Sequence, residues 1–402
     1  MTEIVEEFRV RARSWLEATA APRATGSLSP AEELDRARAF QAALFDAGLA
    51  GITWPAECGG QGLTQAHLLA FNEEAGDFDL PISPFLIGLG MCGPTLVDLG
   101  TSAQQARYLR PLLRGEEIWC QLFSEPGAGS DVASLQSKAV PDGDGWLLNG
   151  QKVWTTGAQY GDFGAVLART DPEVPKHRGL TMFIVDMRAP GVTVRPLRVM
   201  TGAAPFNEVF FADVRIPADA VLGSVNEGWT AAVAMLGHER VSIGGAVQQS
   251  SNPLAFSSLV ETARRHERNE DPVIRDELVG AYLRERALQL LNARLKQEAN
   301  TGKAIGARGS VLKLVRALNA ARAVDVAGMV AGSEAIAWTE GDTAAAALSM
   351  SITGAPGLAI AGGTNEVQRN ILGDRVLGLP KEPQVDRDVP FRELRVGTQR
   401  EI

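Results

Sequence analysis

A mainly helical protein with a β domain in its middle is the fold this sequence predicts, on three observations. Helical periodicity broken by Gly/Pro punctuation runs from the N-terminus to about residue 118. Short β-branched and aromatic runs separated by turn signals fill the stretch from about 119 to 220. After "GSVNEG" the pattern returns to long helical stretches with apolar residues at 3-4 spacing, for which a helix bundle is the simplest packing. At 402 residues, 45% hydrophobic and 22% charged, the chain is an ordinary globular sequence long enough for two or three domains.

The elements follow in order. The opening "MTEIVEEFRVRARSWLEATA" carries charges throughout and reads as an amphipathic helix, with Val5, Phe8 and Trp15 on one face, and not as an export signal. "GLGMCG", Gly88 to Gly93, spells G-x-G-x-x-G, yet it lies in a helical region with Pro94 behind it and no βαβ alternation around it. A dinucleotide site is therefore not expected there. The β module comprises "GWLLNGQKVWTT", "GAVLART", "LTMFIVD", "GVTVRPL" and "NEVFFADVRI", spaced by "PDGDG" and "RAPG", which fits a small barrel or sandwich. Pro272 to Ala299 and Ile305 to Val330 are the clearest later helices. Thr343 to Asn365 is uncharged, but its small residues are too weakly apolar for a bilayer and "GAPG" interrupts it, so no membrane span is expected.

Composition narrows the function classes. A formal charge of −9 and the lack of a basic stripe interleaved with aromatics exclude a nucleic-acid groove. Three cysteines, Cys58, Cys92 and Cys120, without paired spacing indicate neither a disulfide framework nor a metal cluster, and fit a reducing cytoplasm. Arginine outnumbers lysine, as in proteins of GC-rich bacteria.

Two stretches carry chemistry. "FSEPGAGSD", Phe123 to Asp131, combines hydroxyls with glycines that let backbone amides approach an electron-rich ligand, although a plain Gly-rich turn has the same composition. "KVWTTG", Lys152 to Gly157, puts Trp154 and Thr156 on one side of a strand, an indole face and a hydroxyl pointing to one place. A half-buried Trp in a barrel wall has that spacing too.

Together with "NGQKVWTTG", "GLTMFIV", "FNEVFFADVRIP", "NEGW" and "GGTNEVQRNILGDRVLGLP", these segments resemble the acyl-CoA dehydrogenase family, in the family's order and over nearly the whole chain. The resemblance implies an N-terminal α-helical domain at 1–118, a middle β-barrel domain at 119–223 and a C-terminal four-helix bundle at 224–381, followed by a charged tail at 382–402 expected to lie over a surface. It implies FAD held between the β domain and the bundle, an acyl-CoA thioester as substrate, an electron-transfer flavoprotein as electron acceptor, and a homo- or hetero-oligomer, dimer or tetramer. By similarity, Ser124, Gly129 and Ser130 contact the flavin and its surroundings, with Ser130 also near the CoA arm. Trp154 and Thr156 flank the isoalloxazine, and Thr364 and Glu366 touch the adenosine half of FAD.

Removing a thioester α-proton demands a carboxylate held at Cα. In many family members it is the glutamate of a Tyr-Glu-Gly-Thr loop, but here that loop is Ala361-Gly362-Gly363-Thr364, so the base position is Gly362. Relatives that include isovaleryl-CoA and long-chain dehydrogenases carry the base on the first long helix of the C-terminal domain, directly before an arginine. "MLGHERVSIGG" places Glu239 before Arg240 there. Glu239 is thus the expected base, Arg240 contacts CoA, Gly362 clears volume and offers an N–H in the pocket, and His238 neighbours the base. The family's Arg-Phe-Gly element, which reaches the FAD diphosphate of a neighbouring subunit, is absent from "ETARRHERNEDPVIRDE", where Arg265 is the candidate for its arginine. Three functions stay open: an acyl-CoA dehydrogenase, a non-catalytic or half-catalytic subunit of a heteromeric one, and a flavin monooxygenase or oxidase on the same scaffold.

Overall fold

The computed structural model describes residues 3–20, 29–245, 252–300, 306–384 and 386–394, with the side chains of 240–245, 296, 299 and 300 outside the description. The chain groups into two compact units, one of Met1–Val199, Ala203–Ser242 and Glu382–Ile402, the other of Met200–Gly202 and Ile243–Lys381.

The first unit begins with helices α1 (Val5–Thr19), α2 (Pro30–Asp46), α3 (Gln65–Ala75), α4 (Gly93–Leu99) and α5 (Ser102–Arg114). Phe8, Ala12 and Leu16, one per turn, form the buried line of α1, while Val5 and Trp15 lie half-buried at its margins. Ser29 starts α2 through a capping box, its hydroxyl accepting from the Glu32 amide while the Glu32 carboxylate accepts from the Ser29 amide. Gly88–Cys92 is a π-helical turn running directly into α4, and a Cβ on Gly93 would lie 2.1 Å from the Trp54 ring. Close packing against an indole thus explains that glycine, and the G-x-G-x-x-G match lies within consecutive helical turns and not between a strand and a helix.

The β part comprises β1 (Trp119–Leu122), β2 (Lys138–Asp142), β3 (Gly145–Thr156), β4 (Phe163–Arg169), β5 (Leu180–Asp186), β6 (Val192–Leu197) and β7 (Phe206–Pro217). They form one sheet in the order β1-β4-β2-β3-β7-β6, with β5 antiparallel to β4. The expected barrel takes the form of a curled sheet. β1 and β2, which the sequence pattern passes over, are short and pair in parallel with β4. β4 and β5 are almost continuously buried, so they read as apolar runs without alternation. One core joins β strands to helices: Leu96, Leu109, Trp119, Leu148, Val166, Phe183 and Met235 all belong to it. α6 (Gly228–Gly245) enters that core through Ala231, Ala232 and Met235.

The chain returns to this unit at its end. Phe391 donates its amide to Val174 O, Arg392 to Pro172 O, and Pro175 bridges Pro390. The described part of the charged tail therefore lies over the loop between β4 and β5.

The second unit holds α7 (Phe256–Arg265), α8 (Pro272–Asn300), α9 (Gly309–Ala331), α10 (Thr343–Gly354) and α11 (Asn365–Arg375). Leu259, Ala263, Ile274, Leu278, Val326, Val330 and Leu348 pack its core. The uncharged stretch from Thr343 becomes α10 and a 3-10 turn, Ala355–Ala359. Among the described residues no helix is long and apolar enough to cross a membrane.

Candidate active site

β1 ends at Leu122, and the chain re-enters the sheet at Lys138 after a loop that is exposed at Pro126, Gly127, Gly129, Ser130 and Asp131 and buried from Val132 to Leu135. A tight turn closes the start of this loop, since the Glu125 and Ala128 amides each donate to the other's carbonyl at 3.0 Å. Gly127, Gly129, Ser130 and Asp131 are exposed and Ser124 is half-buried. Gly127 and Gly129 have ordinary φ, and a Cβ built on either meets nothing within 4 Å. Neither backbone strain nor crowding within the chain explains these glycines. The open space over these bare backbone amides would accommodate a flat ligand such as a flavin.

β3 supplies the next groups through two irregularities. The register with β7 shifts between Leu148 and Gly150 and again between Lys152 and Thr155. At the second, β3 carries one extra residue, Trp154 takes φ +61°, and consecutive Lys152 and Val153 are both buried. The bulge inverts the strand's phase, so Thr155 turns inward while Trp154 and Thr156 turn out together. Trp154 is 56% exposed and meets Phe206 edge-on at 5.7 Å. The same-face expectation for Trp154 and Thr156 is met, but by a bulge and not by a regular strand.

Beneath the loop lies a group of charges that the motif reading passes over. Lys152 is 0% exposed, and its Nζ donates to Glu125 Oε1 at 2.8 Å and to Phe123 O at 3.1 Å. Glu125 also accepts from the amides of Gln136 at 2.6 Å and Ser137 at 2.9 Å. Burial favours a neutral Glu125, yet the Lys152 ammonium and these bonds win and hold the carboxyl below its ordinary value. Burial lowers the Lys152 ammonium, an effect that Glu125 opposes. Arg169, at the end of β4, donates to Ala133 O and Lys176 O and lies 3.7 Å above the Phe391 ring, and burial pushes its guanidinium down to about 10. The sequence signal for this cluster, a lysine in the inward phase of Leu148, is obscured because the second bulge reverses the phase just after Lys152 and makes Val153 and Thr155 the next inward residues.

Glu239 lies half-buried on α6 in the same unit. Its neighbour His238 places Nε2 2.7 Å from Asp98 Oδ2 on α4, so that histidine is occupied in tying two helices together. The Arg240 side chain lies outside the described residues.

The remaining predicted residues belong to the second unit. Gly362 has φ +66° and Gly363 φ +88°, so both have a backbone reason to be glycine, beyond any volume Gly362 clears. Their carbonyls accept from Gln368 Nε2 at 2.8 Å and from Lys313 Nζ respectively. Thr364 is the N-cap of α11, its hydroxyl accepting from the Val367 amide at 3.3 Å. Glu366 is exposed beside Arg369, with its carboxyl lowered by hydrogen bonds within its own turn. Arg265 is engaged by Glu334 at 3.4 Å.

Three family models match along the chain: acyl-CoA dehydrogenase N-terminal domain at residues 2–116, middle domain at 120–214 and C-terminal domain at 226–377. Acyl-CoA dehydrogenase IpdE1 of Mycobacterium tuberculosis is 40% identical over 386 residues, covering 94% of this chain and 98% of that one. Among solved structures, the Tcur3481-Tcur3483 steroid ACAD superposes with a TM-score of 0.78 at 27% identity, over 94% of this chain and 98% of its own. The ChsE4-ChsE5 complex of Mycobacterium tuberculosis gives 0.75 at 29% identity, over 94% and 98%. Fold and sequence define a flavoprotein oxidoreductase of acyl thioesters. The chain belongs to the acyl-CoA dehydrogenase family.

Proposed function

We propose that this chain removes the α-proton and β-hydride of an acyl-CoA thioester with Glu239 as the base, giving the trans-2-enoyl-CoA. The observation that carries the reading is the location of carboxylates. Residue 362, where many relatives keep the base, is a glycine in left-handed backbone, while Glu239 stands half-buried on a helix rooted in the same core as the glycine-rich loop. FAD, when bound, would supply the hydride-accepting chemistry, with an electron-transfer flavoprotein as the electron acceptor that the resemblance implies. The chain's own part is to present bare amides at Gly127 and Gly129, to offer the Trp154 face and the Thr156 hydroxyl beside them, and to take the proton on the Glu239 carboxylate. Ser124, Ser130, Thr364 and Glu366 join the FAD contacts, and Ser130 and Arg240 the CoA contacts, on resemblance alone.

A bulky, ring-bearing acyl group is the substrate class we favour, because a relative of this fold is described as a steroid ACAD. The ChsE4-ChsE5 complex supports a second reading, in which this chain works as one subunit of a heteromer in the cytoplasm. Purified alone, such a subunit is colourless and takes up FAD only with its partner.

Glu239→Gln tests the base. Bleaching of the flavin by an acyl-CoA that reduces the natural protein should slow by about 10²- to 10⁴-fold, with FAD content and acyl-CoA affinity retained. Normal bleaching would remove Glu239 from the mechanism.

A further inference from the structure

The buried charges under the glycine-rich loop have no part in proton or hydride transfer, and their geometry demands a reason. Replacing a buried ion pair by apolar side chains is often neutral or favourable for stability, so folding alone is a weak explanation of a lysine with 0% exposure. What apolar residues cannot do is hold backbone. The Glu125 carboxylate joins the two ends of the loop: it sits in the entering turn and accepts the amides of Gln136 and Ser137 where the chain leaves. Lys152 secures that carboxylate and the Phe123 carbonyl together, while the Val153 amide donates to Ser124 O at 2.9 Å. The far side of the loop is tied separately, Asp131 to Lys176 at 2.9 Å and Ala133 O to Arg169. Between these anchors Gly127, Gly129 and Ser130 are exposed, and only Ala128 of this stretch is buried, its backbone paired with Glu125.

We propose that Glu125 and Lys152 are positioning residues, a buried clasp that holds residues 124–137 in the one conformation able to receive the flavin. This rests on the reading that the loop receives FAD. An amide at 125 could not accept two N–H groups while facing an ammonium, so Glu125→Gln opens the clasp. The pair Glu125→Gln/Lys152→Met removes both charges, restoring much of the thermal stability but not the two backbone anchors. The test measures three quantities on the natural chain, the single variant and the double variant: melting temperature without flavin, FAD dissociation constant by titration, and hydrogen exchange of the Gln136 and Ser137 amides.

The expected result is an FAD dissociation constant raised at least about tenfold in both variants, with exchange at the two amides accelerated by a similar factor, while the double variant melts close to the natural chain. If FAD affinity recovers together with the melting temperature in the double variant, the pair is merely structural and the proposal falls. FAD affinity within about twofold of natural in both variants overturns it as well. A natural chain that takes up no FAD defeats the reading that this chain receives FAD by itself, the outcome expected of a heteromer subunit, and leaves the clasp to be judged separately. The exchange data then decide the clasp: faster exchange confined to 124–137 sustains it, and unchanged exchange overturns it.

Discussion

Glu125 shows what a single residue's surroundings do to its charge. Its folded carboxyl lies below the ordinary value because Lys152 and two backbone amides outweigh burial. The stability it contributes is complete above the unfolded value of roughly 4.3 and is lost as pH falls through the lower folded value. Glu125→Gln should therefore have a shallower loss of stability on acidification below about pH 4 than the natural chain, followed by urea midpoints across pH. Coincident acid limbs would mean that the carboxylate is not held as described. Neither partner was legible as part of a site. Both stand inside quoted motifs, but ion pairing depends on which way a side chain points, and the bulge directly after Lys152 upsets the phase of β3. Glu239 is the opposite case: its place before Arg240 and the glycine at 362 are sequence facts, and the structure adds its half-buried setting and the His238–Asp98 tie beside it.

β3 gives the same lesson for an element. Its limits are legible, since "GWLLNGQKVWTT" matches Gly145–Thr156, yet the bulge that turns Trp154 outward is not. A bulky residue in left-handed backbone costs on the order of 1–2 kcal/mol, and here the indole gains little burial in return. Strain of this kind persists where a site needs the side chain. Trp154→Gly should accordingly melt above Trp154→Ala, by about 1 kcal/mol of stability, because both lose the ring and only glycine relieves the backbone. Equal stability of the two variants in urea would show that the bulge is unstrained. β1 escaped the periodicity reading because a four-residue, almost wholly buried strand has no alternation to display, and β2 because its Val140-Pro141-Asp142 end runs into the turn signal that precedes β3.

The whole molecule adds contacts between ends of the chain far apart in sequence. Phe391 is 7% exposed, buries its ring against the Arg169 guanidinium, and anchors a segment that also sends Asp386 to Lys176 at 2.9 Å. Through Lys176 and Arg169 that segment reaches Asp131 and Ala133, the far anchors of the glycine-rich loop. Phe391→Ala should cost about 2–4 kcal/mol, from lost burial and a lost cation–π contact, read as a fall in the urea midpoint. An unchanged midpoint would show that the tail merely rests on the surface.

By itself the sequence determined the order of helical, β and helical parts, the limits of most strands, and the glycines and aromatics of the exposed loop. Local propensity and turn chemistry write these directly into the chain. Through its resemblance it also offered two alternative positions for a base, one of which is glycine here. Only the tertiary structure decided which charges are buried together, which face Trp154 presents and where the tail lies. Those outcomes depend on register, bulges and packing between distant segments, which no stretch of residues encodes alone.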